Sequence, residues 1–171
     1  KITVDSATLA NKGLEVIEAK WLFDIDYDRI DVVVHPQSII HSMIELTDGC
    51  VLAQLGLPDM RAPIQFALTY PKRSAANYGS IDFTKLKQIT FEQPDTITFS
   101  PLAMAYEAGR KGGAFPCVFN AANETAVNAF LNGKIAFLHI AEIIYNCIQS
   151  FSQFGPTSLE SLLQADAWAR K

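Results

Sequence analysis

The sequence lacks the features that mark several common protein classes. Its 3 cysteines in 171 residues include no CxxC pair, which argues against a disulfide framework and a structural zinc site. No apolar run approaches the roughly 18 residues of a membrane span. With 14 Lys and Arg against 18 Asp and Glu, the net charge is −4, so no general basic surface is present. We therefore expect neither a membrane nor nucleic acid as a partner.

Common catalytic motifs are also missing. No glycine-rich GxGxxG loop, Walker loop, GxSxG or HExxH motif occurs in the sequence. The widely spaced cysteines are typical of buried free thiols in a reducing compartment, which predicts a cytoplasmic location. What is present is a 49% hydrophobic composition, enough for a folded core. The chain begins as KITVD, without Met and in the middle of an apparent strand, so we expect part of a longer protein.

Hydrophobic periodicity predicts strands and helices in alternation in the first part of the chain. A continuous β-branched run, IDVVVH, is typical of a strand buried on both faces. An Asp-Gly pair between two apolar runs predicts a hairpin, and prolines bound a later helix. The predicted strands are 1–4, 30–35, 41–46 and 51–55, and the predicted helices are 7–22 and the stretch between Pro58 and Pro71.

The second part of the chain predicts only helices. Residues 72–100 show no sustained period beyond a short strand at 88–91, whereas glycines separate four helical segments after them. These segments are 101–110, 119–132, 137–151 and 157–170. We therefore predict an α/β (α+β) part with a small mixed sheet at 1–71, a linker at 72–96, and an all-α helical bundle domain at 97–171.

The helix at 7–22 carries the most informative polar residues. Asp5 or Ser6 would cap its start, and Ala10, Leu14, Ile17 and Trp21 would form its buried face. Asn11, Lys12 and Glu15 then share an adjoining arc near the helix start. Free N–H groups, the Ser6 hydroxyl and the Lys12 ammonium could hold a phosphate, and Glu15 could bind a hard divalent cation.

A plainer interpretation of that arc is a solvated helix face with a Lys12–Glu15 ion pair. Gly13 slightly favours a site, because glycine inside a helix often marks a close approach. His35 and His41 could contact a substrate hydroxyl or relay a proton, but a structural role fits them equally, and His139 is expected in the core or at an interface. The run 120–124, NAANE, is most simply explained by close helix packing with a capped start.

Four stretches together resemble a known enzyme family. They are VDSATLANKGLE at 4–15, HPQSIIHSM at 35–43, GLPDMRAPI at 56–64 and NAANE at 120–124. In this order and spacing the whole chain is similar to the 1-deoxy-D-xylulose 5-phosphate reductoisomerases, NADPH-dependent enzymes of the methylerythritol phosphate route of isoprenoid biosynthesis. The resemblance implies catalytic-domain sequence followed by the C-terminal domain, in a bacterial cytoplasm or a plastid stroma.

The resemblance also implies roles for individual residues. Ser6, Asn11 and Lys12 would hold the phosphate and nearby hydroxyls of the sugar substrate. Glu15 would bind Mg²⁺ or Mn²⁺ and touch the substrate, so that it, Lys12 and His41 would serve catalysis. His41 would border the substrate pocket, and Met60 the nicotinamide side of NADPH.

The family's glycine-rich NADPH domain and its other two metal-binding carboxylates have no counterpart in this sequence. We therefore expect the chain to be inactive alone and to bind NADPH poorly, and we expect the parent enzyme to be a homodimer. Two other functions remain open. One is a non-catalytic phosphometabolite-binding or dimerisation module, and the other is a helical interaction protein whose polar face at 11–15 is merely solvated.

Overall fold

The computed structural model describes residues 1–75 and 77–171. They form a mostly helical structure with a two-stranded antiparallel sheet, divided into two compact units. Unit 1 comprises Lys1–Val32 and Pro94–Lys171, and unit 2 comprises Val33–Gln93. No helix in the described residues is both long and apolar enough to cross a membrane. The elements are α1 (Ile2–Ala7), α2 (Ala10–Phe23), β1 (Ile40–Glu45), β2 (Val51–Leu55), α3 (Arg61–Thr69), α4 (Pro101–Lys111), α5 (Phe115–Leu131), α6 (His139–Ser150) and α7 (Leu159–Ala169).

The core of unit 1 lies between α2, α4, α5 and α6. Phe119 of α5 and Ile140 and Ile144 of α6 are fully buried in it, so their apolar surface is removed from water. A β-carbon placed on Gly13 would lie 2.5 Å from that of Ala105, so α2 and α4 approach closely at this position. The close approach expected at Gly13 is therefore confirmed, and the neighbour is a helix of the same unit.

The four helices predicted in the second part of the chain are confirmed as α4 to α7. Helix α5 begins at Phe115, four residues before the predicted start at 119, because Pro116 suits the first helical turn. The capped start proposed for 120–124 is therefore wrong, since those residues lie inside the helix. Of the two places expected for His139, the core is wrong, and the interface stays a prediction. This side chain is exposed at the start of α6, and its Nδ1 accepts a hydrogen bond from the Ala136 amide at 3.3 Å.

Unit 2 contains the predicted hairpin, and its turn is the one that the sequence indicates. Strands β1 and β2 pair antiparallel. The Asp48 carboxylate accepts a hydrogen bond from the Cys50 amide at 2.9 Å, and Gly49 has a φ of +83°. That left-handed conformation favours glycine. The helix predicted between Pro58 and Pro71 is confirmed as α3.

Three predicted strands are wrong. Residues 1–4 begin helix α1, and short β-branched runs are compatible with either state until tertiary contacts decide. Residues 30–35 and 88–91 form no strand, and Val34 makes one isolated bridge, to Glu92. Without these strands the sheet in the described residues is purely antiparallel, so the predicted mixed sheet is corrected.

The compact units follow packing rather than chain order. Ala10 and Ile17 of α2 belong to the same apolar cluster as Ala105 of α4 and Phe119 of α5. Helices α1 and α2 are therefore grouped with the C-terminal helices. The predicted domain boundaries, 1–71, 72–96 and 97–171, stay a prediction.

Candidate functional site

The first turns of α2 bring three of the predicted site residues into direct contact. The Asn11 amide donates to Glu15 Oε1 at 2.7 Å, and Lys12 Nζ lies 2.5 Å from Glu15 Oε2. Spacings of three and four residues place side chains on one helix face, so these contacts could be predicted from the sequence. The Lys12 and Glu15 side chains are 43% and 45% exposed, so the cluster is open to solvent.

The start of α2 is built differently from the prediction. Asp5 and Ser6 lie inside α1, so neither caps α2. Instead the chain turns at Thr8 and Leu9, and Leu9 adopts a left-handed φ of +62°. Thr8 Oγ1 accepts from the Ala10 amide and donates to the Asp5 carbonyl oxygen, each at 3.3 Å. A threonine hydroxyl therefore supplies the acceptor for the first orphan amide of the helix.

The predicted buried face of α2 is correct for its first two turns. Ala10 and Ile17 are buried and Leu14 is half-buried. Trp21 was expected on that face but is 75% exposed, because the packing against α4 and α5 does not extend to the last turn. The core therefore anchors the part of α2 that carries the polar cluster.

The cluster combines a cation, a carboxylate and an amide on one solvent-facing surface. An exposed ion pair contributes little stability. An anion could therefore replace Glu15 as the partner of the Lys12 ammonium with little loss of free energy. Glu15 offers carboxylate oxygens, which hard divalent cations prefer. In the part of the chain that the structure describes, no group of three or more His, Cys, Asp or Glu side chains is placed to hold a metal. Glu15 by itself does not fit a complete magnesium or manganese site.

The other predicted site residues lie outside this contact group. Ser6 is exposed on α1, and no hydrogen bond in the described residues joins its side chain to the cluster. His41 is exposed on β1, where its Nε2 would lie 3.7 Å from a β-carbon placed on Gly56. Met60 is 70% exposed directly before α3. Both belong to unit 2, whereas the cluster belongs to unit 1.

His35 is held by contacts within unit 2. Its Nδ1 lies 2.9 Å from the Thr90 carbonyl oxygen, and its ring lies against Phe91 with centroids 5.0 Å apart. A ring nitrogen beside a carbonyl oxygen must donate, so Nδ1 carries the proton in this arrangement. These contacts support the structural interpretation of this histidine.

Sequence reasoning missed a buried polar pair in unit 1. Asn123 of α5 is fully buried, and its amide donates to Asp5 Oδ1 at 2.9 Å, where Asp5 is only 3% exposed. Next to it, Lys1 and Arg170 donate to the Glu124 carboxylate at 2.7 and 2.9 Å, which lowers the pKa of Glu124. A buried asparagine in an alanine-rich helix was the available signal, but its partner lies 118 residues away in sequence.

Comparison with known families identifies the chain. The profile of the DXP reductoisomerase C-terminal domain matches residues 55–171. The chain belongs to this family. A second profile, the 1-deoxy-D-xylulose 5-phosphate reductoisomerase C-terminal domain, matches residues 1–23 of this chain, which include the α2 cluster.

Curated reductoisomerases match this chain along its full length. The 1-deoxy-D-xylulose 5-phosphate reductoisomerase of Chloroherpeton thalassium is 59% identical over 171 residues, which are 100% of this chain and 44% of the relative. That of Desulforamulus reducens is 57% identical, with the same coverage of 100% and 44%. This chain therefore spans less than half the length of these relatives.

Solved structures agree with the sequence comparison. The Zymomonas mobilis enzyme in complex with NADPH is 51% identical, with a TM-score of 0.93 over 99% of this chain and 45% of that chain. A DOX-P reductoisomerase in complex with NADPH, fosmidomycin and magnesium is 42% identical, with a TM-score of 0.93 over 99% and 44%. The fold of this chain is thus that of the C-terminal part of these enzymes.

Proposed function

We propose that the chain carries part of the active site of an NADPH-dependent reductoisomerase. The reaction converts 1-deoxy-D-xylulose 5-phosphate into 2-C-methyl-D-erythritol 4-phosphate. The observation that carries the proposal is the contact group of Asn11, Lys12 and Glu15, in a chain whose family is the DXP reductoisomerase C-terminal domain. Relatives described in complex with NADPH and magnesium support these two cofactors for the parent enzyme.

In this proposal the substrate phosphate displaces Glu15 from Lys12. The ammonium and the Asn11 amide are donors, and a phosphate offers several strong acceptors. Ser6 and His41 would add contacts to the substrate, and Met60 would border the nicotinamide. Release of Glu15 leaves its carboxylate free to bind a divalent cation, whose chemistry is to polarise substrate oxygens. The remaining metal ligands would come from the portion of the relatives that this chain does not include.

The chain alone is therefore proposed to be inactive. The test compares the purified chain with a hybrid enzyme in which it replaces the matching segment of the Chloroherpeton thalassium relative. The hybrid should oxidise NADPH with 1-deoxy-D-xylulose 5-phosphate, and the isolated chain should not. Substrate-dependent turnover by the isolated chain, or an inactive but folded hybrid, would contradict the proposal.

Glu15→Gln in the hybrid tests the metal role separately. The substitution keeps the size of the side chain and removes the charge, so the concentration of Mn²⁺ needed for half-maximal activity should rise at least about tenfold. Glu18→Gln, on the same helix, is the matched control and should leave that concentration unchanged. An equal metal requirement in the two variants would remove Glu15 from the proposed ligand set.

The parent enzyme is proposed to form a homodimer, as the resemblance implies. The hairpin exposes Ile44 and Leu52 at 63% and 59%, which supports an interaction surface in unit 2. Light scattering of the hybrid should give twice the mass of one chain. A monomer at micromolar concentration would contradict it.

A further inference from the structure

We propose that Asn123, through Asp5 and Thr8, is a positioning residue for the cluster at the start of α2. This inference rests on the proposed function of that cluster. The link is a continuous series of contacts in unit 1 that begins on α5 and ends at the first amide of α2. We call it the Asn123 relay.

The first step of the relay joins two helices through their side chains. The Asn123 amide donates to Asp5 Oδ1 at 2.9 Å, and the exposures of the two residues are 0% and 3%. Asn123 is inside α5, which packs against α2, α4, α6 and α7 and thus cannot shift without disturbing the core. This hydrogen bond therefore fixes the position of α1 relative to α5.

The second step carries this position to α2. The Asp5 carbonyl oxygen accepts from the Thr8 hydroxyl, and Thr8 Oγ1 accepts from the Ala10 amide, each at 3.3 Å. The intervening Leu9 has a left-handed φ of +62°, a conformation that is unfavourable for a residue with a side chain. The contacts at Thr8 on both sides of Leu9 compensate for that cost.

The energetics favour positioning over stability as the reason for the pair. Asn123 Oδ1 is buried and has no hydrogen-bond partner in the described residues. A buried polar pair with an unsatisfied atom is no more stable than well-packed apolar side chains of similar size. Its directional hydrogen bond, in contrast, sets the register of α1 against α5, which apolar contacts specify less sharply. Asn11 and Lys12 follow Ala10 by one and two residues, so the positions of their side chains depend on that register.

Thr8→Val in the hybrid enzyme tests the relay. Valine keeps the shape of threonine and removes both hydroxyl contacts. We expect kcat/KM for 1-deoxy-D-xylulose 5-phosphate to fall about tenfold, with the KM for NADPH unchanged within about twofold. In the 171-residue chain, exchange of the Gly13 amide, which donates to Leu9 at 3.0 Å, should accelerate about tenfold relative to amides of α6.

Two further variants separate positioning from simple destabilisation. Asp5→Leu combined with Asn123→Leu replaces the pair with apolar side chains, so Tm should be kept or raised while kcat/KM still falls. Val127→Ala removes buried methyl groups from the same helix outside the relay, so Tm should fall while kcat/KM, measured well below Tm, should not. The relay is overturned if Thr8→Val leaves either kcat/KM or the exchange rate of the Gly13 amide unchanged. It is also overturned if Thr8→Val lowers Tm without lowering kcat/KM, as expected for Val127→Ala.

The proposed function can fail independently of the relay. If Lys12→Ala leaves kcat/KM of the hybrid unchanged, the cluster does not bind substrate and the positioning role falls with it. If Lys12→Ala lowers kcat/KM and Thr8→Val does not, the cluster stands and only the relay is wrong.

Discussion

The two units of this chain differ in how they use their apolar side chains. In the described residues, every buried side chain belongs to unit 1. Unit 2 instead leaves Ile44, Leu52 and Leu68 exposed at 63%, 59% and 83%. Unit 1 therefore has its own core, whereas unit 2 is held by a hairpin and by hydrogen bonds such as that between His35 and Thr90. The α2 cluster is anchored in that core, while His41 and Met60 lie on exposed segments.

Removal of a large core side chain should give the largest effect. Phe119→Ala deletes a fully buried ring in unit 1 and should lower the free energy of unfolding by about 3–5 kcal/mol. Urea denaturation followed by circular dichroism measures the change, since most of the helix lies in unit 1. A loss below about 1 kcal/mol would show that unit 1 does not depend on this core.

Overfilling the contact between α2 and α4 should have a smaller effect. In Gly13→Ala the new methyl group meets Ala105, whose β-carbon would be 2.5 Å away. We expect a loss of about 1–3 kcal/mol in the free energy of unfolding, despite the better helix propensity of alanine. Adding Ala105→Gly in the same chain should recover part of the loss. A neutral or stabilising Gly13→Ala would mean that the two helices are not in tight contact.

The same kind of truncation in unit 2 should change little. Leu52→Ala on β2 removes a side chain that is 59% exposed, so the free energy of unfolding should change by about 0.5 kcal/mol or less. Ile144→Ala in α6, where the side chain is fully buried, is the matched comparison and should lose about 2–5 kcal/mol. Similar losses of unfolding free energy in the two variants would contradict the difference in core packing between the units.

In unit 2, a pH effect should arise from Asp59. Hydrogen bonds from the Arg61 side chain and then its backbone amide lower the pKa of Asp59 from 3.8 to about 2. Because this pKa is depressed in the folded state, the stabilisation is complete above 3.8 and is lost as the pH falls through about 2. Carboxyl carbon NMR should follow this titration, and Arg61→Ala should raise the pKa towards 3.8. An Asp59 that titrates normally in the unsubstituted chain would exclude the contact.

The features that could be predicted from the sequence are those determined by residues close together in the chain. The hairpin depends on Asp48 and Gly49, and the contacts among Asn11, Lys12 and Glu15 follow from the geometry of any helix. The helical state of residues 1–4 was not predictable in this way.

The missing information was non-local. Asp5 accepts a hydrogen bond from Asn123, which lies 118 residues later in the chain. No local sequence pattern predicts that pairing. The exposure of Trp21 was missed for a related reason. Helical periodicity gives the direction of a face but not how far along the helix a neighbour covers it.

The kcat/KM of the hybrid enzyme with Lys12→Ala tests most directly whether the α2 cluster binds the substrate. Lys20→Ala is the matched control, because Lys20 pairs with Asp24 at 3.4 Å on the same helix but outside the cluster. We predict that Lys12→Ala lowers kcat/KM for 1-deoxy-D-xylulose 5-phosphate by about 100-fold or more, with Lys20→Ala within about threefold of the unsubstituted hybrid. A Lys12→Ala hybrid that is folded and within threefold of the control would contradict the account.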